Sequence, residues 1–594
     1  MELFISGKQV AMNVDALIQV NFVNQLLQRQ GFFSYPFEVP LRPNLEIFGY
    51  LRIATAVKPT DLKFELRNFG VTICRGNVAI DTFDRDVVAI ILQNESSEFW
   101  KTTGEMFMDE FDFGGETNQL LSTQQVVDKW TASASSVYPA SPYSCYPVYA
   151  PNLLVSTFNN QPVYIAGGYP GPYANAWDHA NNKLFATIPP SESRTGLLSG
   201  NIFTLNFYVR YLIDKIITSS GYFKDADDLA SISDFSKLTI ISLNQVFGYY
   251  NILYKRSLPH IKIADFMKSL EDAFGIMLVI DVLKGTISVR LRKNLMQKSE
   301  GKNYSKMRVM TEKVTMEANP TGYTVKWKDA DEDDRNYSGW ATDATITEVA
   351  LISNIFPPQS TWYDLLLHVI QNDRYYICRI QDKTVDTDPD VWLWVPIGVF
   401  RTKVIGDGKE LREIEALSVV NYTESKTFTY TFYGPSYPSG IATVVTIPFQ
   451  CPKVLQKGNS SYGIYFAGDK MEVWPIIFNL SRGMNQTIDI HATQFNYPLT
   501  TFDGWKESGE ALATDFNLRF DGAKGLYAQF MKGEIEWLMK RLKAETFLTL
   551  NPVEIKSIDF SDKIVIDGFP RVIDTLSAEF GKNETIIVDL INYI

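Results

Sequence analysis

The chain has 594 residues, 45% hydrophobic and 21% charged, with a net charge of −12. That length exceeds what one core can fill and implies roughly three to five domains, while the composition excludes a disordered chain. The mild acidity argues against broad binding to nucleic acid or anionic membranes, yet it is compatible with merely enclosing DNA, because phosphate contacts would hold the DNA back.

Aromatic residues make up 13%, including 30 Tyr and 38 Phe, which favours sheets with half-buried rings. Cys74, Cys145, Cys378 and Cys451 lie far apart with no CxxC spacing, so reduced thiols are expected. The start, MELFISGKQV, lacks a basic and then apolar leader. Apolar runs such as 87–92 fall far short of the roughly 18 residues of a membrane helix. The expectation is synthesis in a cytoplasm and no membrane span.

In chain order, residues 1–115 read as a β-barrel-like domain. Leu3–Ile5 and Val10–Met12 flank Ser6-Gly7-Lys8 as a hairpin. Phe33, Tyr35, Phe37, Val39 and Leu41 alternate, but Pro36 and Pro40 make the strand an edge or interrupted one. Further strands are expected at 63–68, 71–80 and 87–92. Residues 116–204 form a Pro/Tyr/Gly-rich insertion, in which VYPASPYSCYPVYAP (137–151) and Gly167–Pro172 favour a long ordered loop. Its tyrosines could hold carbohydrate or a partner, or pin the loop to its own domain.

Residues 205–300 read as a helix over 205–219 followed by a helix–hairpin unit. Ile263, Phe266, Leu270 and Phe274 fall on one helical face, and Gly275 offers a left-handed cap. Strands 276–281 and 286–291 follow, joined through Lys284-Gly285. A β domain is expected over 301–430, with an acidic run at 329–334 and strand-like segments over 374–404. The last domain, 431–594, should hold strand-prone 427–431 and 441–449 near its start, a helix over 525–542 and four terminal strands with a turn at Asp567-Gly568. The fold class is therefore α+β, mainly β, with several small barrel or sandwich domains carrying inserted helices.

No catalytic, cofactor or metal residue is assigned. His179, His260, His368 and His491 are too scattered for a metal motif and read as structural or surface residues. The run Asp329, Asp331, Glu332, Asp333, Asp334 lacks the glycine of a calcium loop and reads as a solvated turn. No G-x-S-x-G elbow or phosphate-binding G-x-x-x-x-G-K-[ST] loop occurs. An enzyme is the weaker expectation.

Four segments carry a family resemblance: NFYVRYLIDKIITSSGYF (206–223), IKIADFMKSLEDAFGIMLVIDVLKGTISVRL (261–291), GLYAQFMKGEIEWL (525–538) and LNPVEIKSIDFSDKIVIDGFPRVIDTL. Together with the hairpin-first start, their order resembles the tail-hub proteins of tailed phages. The resemblance implies a non-enzymatic virion protein at the tail tip or baseplate. It implies a ring, as a trimer, with tail tube, distal tail, tape-measure and fibre proteins as partners, passing DNA without specific binding. The Pro/Tyr-rich insertion departs from that pattern. A chain closing on IIVDLINYI leaves no room for a hydrolase extension. Two other readings stay open: a distal tail or receptor-binding protein recognising cell-surface glycan, and a peptidoglycan hydrolase.

Overall fold

A computed structural model describes residues 1–13, 16–27, 32–49, 62–94, 99–118, 120–149, 203–242, 251–281, 284–298, 301–309, 313–315, 319–328, 402–419 and 513–580. Of the remainder it describes chiefly the short strands named below. The architecture is mainly β, in several sheets, with helices between them.

The largest sheet has 14 strands and is built from both ends of the chain. Its N-terminal part contains the Glu2–Ile5/Lys8–Gln9 hairpin and strands Ile18–Val23, Lys63–Asn68, Val71–Phe83 and Val87–Asn94. Its C-terminal part contains Leu542–Thr549, Lys563–Ile566, Phe569–Phe580 and Thr585–Asn592. The two parts join where Ile18–Val23 pairs antiparallel with Phe569–Phe580. Residues expected in the first and last domains therefore share one hydrogen-bonded sheet and one core, in which Leu3, Ile18, Val20 and Leu66 pack with Leu548, Ile573 and Leu576.

The expected barrel does not close among the described residues. The strand path is open, ending at Lys8–Gln9 on one side and at Lys313–Thr315 on the other. Two-residue turns set the register at both hairpins. Ser6 and Gly7 have φ of 49° and 80°, and Asp567 and Gly568 have φ of 50° and 82°. Positive φ at both central positions gives the twist that matches antiparallel strands. Pro36 interrupts the 33–41 run as expected, leaving strands Phe32–Ser34 and Phe37–Pro40.

The central core holds the main helices. Helix α1 (Thr123–Ala134) lies within the expected 116–204 insertion, just ahead of the stretch 137–151 expected to be a loop. Ser122 and Gln125 form a capping box at its start, a signal present in the sequence but masked by the proline-rich stretch behind it. Helix α2 (Val209–Ser219) begins later than the expected 205, because Asn206–Phe207 pairs as a strand with Tyr143–Ser144. Helix α3 (Ile263–Phe274) ends at Gly275 in the left-handed conformation, φ 66°, with its N–H bonded to the Glu271 and Leu270 carbonyls. Strands Ile276–Asp281 and Thr286–Leu291 then pair as expected.

Helix α4 (Arg292–Gln297) follows directly. Helix α5 (Lys532–Lys540) is preceded by a wider π-type turn at Tyr527–Met531 and gives way to a strand at Leu542, so the expected helix over 525–542 is shorter and broken at its entry. Phe274 of α3 and Phe530 before α5 meet Phe235 and Phe516, with ring centroids 5.0 to 5.8 Å apart. Three of the four family-like segments thus converge in one core, which also buries Leu212, Ile216, Phe266 and Leu270.

Candidate functional site

Two features of the described residues stand out chemically: a buried ionic junction, and an open sheet edge. The junction grows from three consecutive residues after the strand Ile18–Val23. Asn24 is fully buried, and its Nδ2 donates to the Phe560 and Ile573 carbonyls at 3.0 and 2.9 Å. The Gln25 amide donates to the Ile280 carbonyl at 3.2 Å and accepts from the Ile280 N–H at 2.8 Å. It thereby caps the free edge of the strand Ile276–Asp281, as a backbone partner would. The Leu26 carbonyl accepts from Arg292 Nε at 2.8 Å. These residues tie the terminal sheet to the helix–hairpin unit.

Arg292, only 4% exposed, donates 2.5 Å bonds to Glu271 of α3 and to Glu534 of α5. Arg412, in the strand Glu410–Ile414, adds a bond to the second Glu534 oxygen at 3.2 Å and lies 3.7 Å from Asp272. Lys268 reaches Asp272 at 2.9 Å. Three cations thus face three carboxylates, so no net charge is stranded. Burial pushes the Glu534 carboxyl up, but Arg292 and Arg412 outweigh it and hold the group below its ordinary range. Leu26, Met277, Leu295, Met296, Trp537 and Val572 form the apolar layer around the cluster.

Beside this junction a cleft of about 460 Å³ opens between the terminal sheet and the hairpin, lined by Gln25, Asp225, Asp281, Lys284, Arg290 and Asp559 among others. Lys284 pairs with Asp281 at 2.9 Å and Arg290 with Asp228 at 3.2 Å. Each of these cations is neutralised by the carboxylate it faces.

The open edge runs along the strand Leu542–Thr549. Arg308 bridges to Leu548, the Val309 N–H donates to the Phe547 carbonyl, and Lys313–Thr315 pairs with residues 543–545. Val309 and Val314 are 53% and 51% exposed. Asn319 then donates to the Arg541 carbonyl at 2.7 Å and leads into strand Gly322–Trp327. That strand is the centre of a three-stranded sheet with Thr402–Gly406 and Glu410–Ile414. Its inner face buries Val325, Trp327 and Ile414. On its outer face Thr324 registers between Val404 and Leu411, which are 62% and 59% exposed. Apolar surface is therefore presented at the edge strand and on the sheet that follows it.

Of the residues weighed from sequence, His260 stacks on Phe107 at 3.9 Å and faces the Asp109 carboxylate at 2.9 Å. His368 lies in a strand, while His179, His491 and the 329–334 run fall outside the described residues. Among the described residues no group of three His, Cys, Asp or Glu is placed to hold a metal ion.

Cys74 and Cys145 are buried free thiols. Burial raises both, Cys145 to about 12, so neither is a nucleophile near neutral pH. In the described part of the Pro/Tyr-rich stretch the rings point inward. Tyr143 and Tyr146 are buried, and Tyr143 donates to Glu116 at 2.8 Å. Tyr138 donates to Asp214 at 2.5 Å. Glu116 also accepts from Lys129 at 2.7 Å and Asn118 at 3.0 Å, so these bonds outweigh burial and lower its pKa. These tyrosines pin the loop rather than display it. The residues that dock the two halves of the chain, Asn24, Gln25 and Arg292, carry no sequence signal, because their partners lie hundreds of residues away.

No protein-family model and no curated protein matches the sequence. Among solved structures the chain is similar to a 43 kDa tail protein of prophage MuSo2 from Shewanella oneidensis, known from its crystal structure. The identity is 7% and the TM-score 0.32, over 99% of this chain and 97% of that one, too loose an overlap to establish a common fold.

Proposed function

We propose that the chain is a non-enzymatic structural protein of the phage virion, a hub at the tail tip or baseplate that assembles with itself into a trimeric ring. In this reading it joins the tail tube to distal tail, tape-measure and fibre proteins, and DNA passes through the ring during ejection without specific binding. The ordered resemblance of segments 206–223, 261–291, 525–538 and the C-terminal strands supports it, and three of the four pack into one core.

The observation that carries the reading is the edge at 308–309 and 313–315, which is open among the described residues. A strand paired on one side only among the described residues, with exposed Val309 and Val314, is a template for another strand, and a closed ring of copies is one way to satisfy it. An obligate interface of this kind buries roughly 2,000 Å² or more.

Light scattering of the purified chain over a wide concentration range tests this. Trimers or larger rings are expected, and the double variant Val309→Lys, Val314→Lys is expected to be monomeric with unchanged thermal unfolding. A wild-type chain that stays monomeric at every concentration, alone and mixed with its neighbours, overturns the reading.

A further inference from the structure

The hairpin Lys426–Gly434/Tyr437–Ile447 touches the strand Trp177–Asp178 through its second strand. Its strands are 9 and 11 residues long and form a two-stranded sheet of their own among the described residues. It springs from a base in which Asn421 registers with Lys453 and Tyr422 with Pro452. Between Lys426 and Lys453 the sequence holds no Asp, Glu, Lys, Arg or His.

A two-stranded ribbon is marginal in water, and among the described residues both of its strands are edges. Soluble sheets blunt such edges with charges or prolines. Here the only charge on either strand is Lys426 at the base, and Pro438 sits in the bulge near the turn, clear of the ladder from Lys426↔Ile447 to Phe432↔Ile441.

Alternation along the strands is the second observation. Phe428, Tyr430 and Phe432 occupy positions on one face of the ribbon, and Thr427, Thr429 and Thr431 those on the other. Ile441 and Val445 register opposite Phe432 and Phe428 and extend the apolar face, with Thr443 between them opposite Tyr430, while Ala442 and Val444 share the other face with the threonines. Tyr433 and Tyr437 flank the turn. A strand crossing a bilayer needs about 9–11 residues alternating between a lipid face and a lumenal face, with aromatic residues near the interfaces. Both strands meet that length. A partner protein covering one face would leave the other to water, where charged residues are the usual choice. A bilayer-spanning barrel leaves no face needing charge, and its closure pairs both edges.

We propose that this hairpin is a membrane-inserting arm, and that arms from several copies pair edge to edge into a barrel across a lipid bilayer. The Phe428–Phe432 face meets lipid and the threonine face lines an aqueous lumen. The proposal rests on the tail-tip reading only for self-association. The dyad pattern is also why no long apolar run appears in the sequence.

The test uses the full chain with dye-loaded vesicles of phosphatidylcholine and phosphatidylglycerol. The wild type is expected to float with the vesicles and release the dye. Tyr430→Lys, on the lipid face, is expected to reduce release about tenfold or more, because a cation at mid-bilayer is strongly disfavoured there. Thr429→Lys, on the lumenal face, is expected to stay within about twofold of wild type. Thermal unfolding checks that each variant folds, with Phe428→Ser as the milder lipid-face change if Tyr430→Lys does not.

Absence of flotation and release, with rings seen by light scattering, overturns the arm and leaves the hub reading standing. Equal loss from folded 429 and 430 variants also overturns it, by pointing to a protein-covered arm. Release by a chain that forms no rings in solution supports the arm while removing the hub reading.

Discussion

The ionic junction and the open edge invert each other's chemistry. At the junction Arg292, Glu271 and Glu534 are buried charges that touch residues from both ends of the chain. At the edge Val309 and Val314, two apolar residues, stand half-exposed. A buried charge tolerates few geometries, because an ion without its partner is costly in a dry interior. An exposed valine on a free strand tolerates many partners. The first fixes how the protein is put together internally, and the second leaves open how copies meet.

Breaking the junction should have the largest effect. Arg292→Ala takes the shared partner from the buried Glu271 and Glu534 carboxylates, leaving three carboxylates against two cations, and is expected to cost about 3–5 kcal/mol, read from urea unfolding. Arg292→Met combined with Glu271→Gln should cost markedly less, because Arg412 and Lys268 still face Glu534 and Asp272 and the charges balance; an equal loss would mean packing rather than ion pairing holds the site. Gln25→Ala removes both bonds to Ile280 and is expected to cost about 1–3 kcal/mol, with faster amide exchange at Ile280 as its local signature.

Acidification weakens the same contacts. The folded pKa of Glu534 lies below its unfolded value, so its contribution is present above the ordinary carboxylate range and is lost as pH falls through the folded pKa. Glu65, held at about 2 by hydrogen bonding to Arg67 and to Thr72, titrates in the same direction. Stability is therefore expected to fall between about pH 4.5 and 2, and Glu534→Gln should flatten part of that decline. The edge variant Val309→Lys, Val314→Lys closes the series: it should change monomer stability by no more than about 0.5 kcal/mol while abolishing association.

Local structure was legible where it depends on nearby residues. The helix–hairpin unit at 263–291 matches its sequence pattern almost residue for residue, because periodicity, the Gly275 cap and the hairpin turn all act within a few positions. Helix α1 was hidden although its capping box is local, since composition of the following stretch outweighed a short signal. The start of α2 was misplaced because Asn206 and Phe207 are claimed by Tyr143 and Ser144, a pairing no window of sequence reveals. Tertiary pairing overrode propensity there.

What the sequence settled by itself was the mainly β character, the short-range turns and the apolar faces of single elements, all consequences of side-chain spacing along one strand or helix. Only the tertiary structure decided that strands 18–23 and 569–580 lie side by side, that the sheet stays open among the described residues, and that Arg292 finds its carboxylates on two distant helices. Those contacts join residues separated by most of the chain. Their free energy comes from burying mutual partners, a property of pairs that neither partner's neighbourhood records.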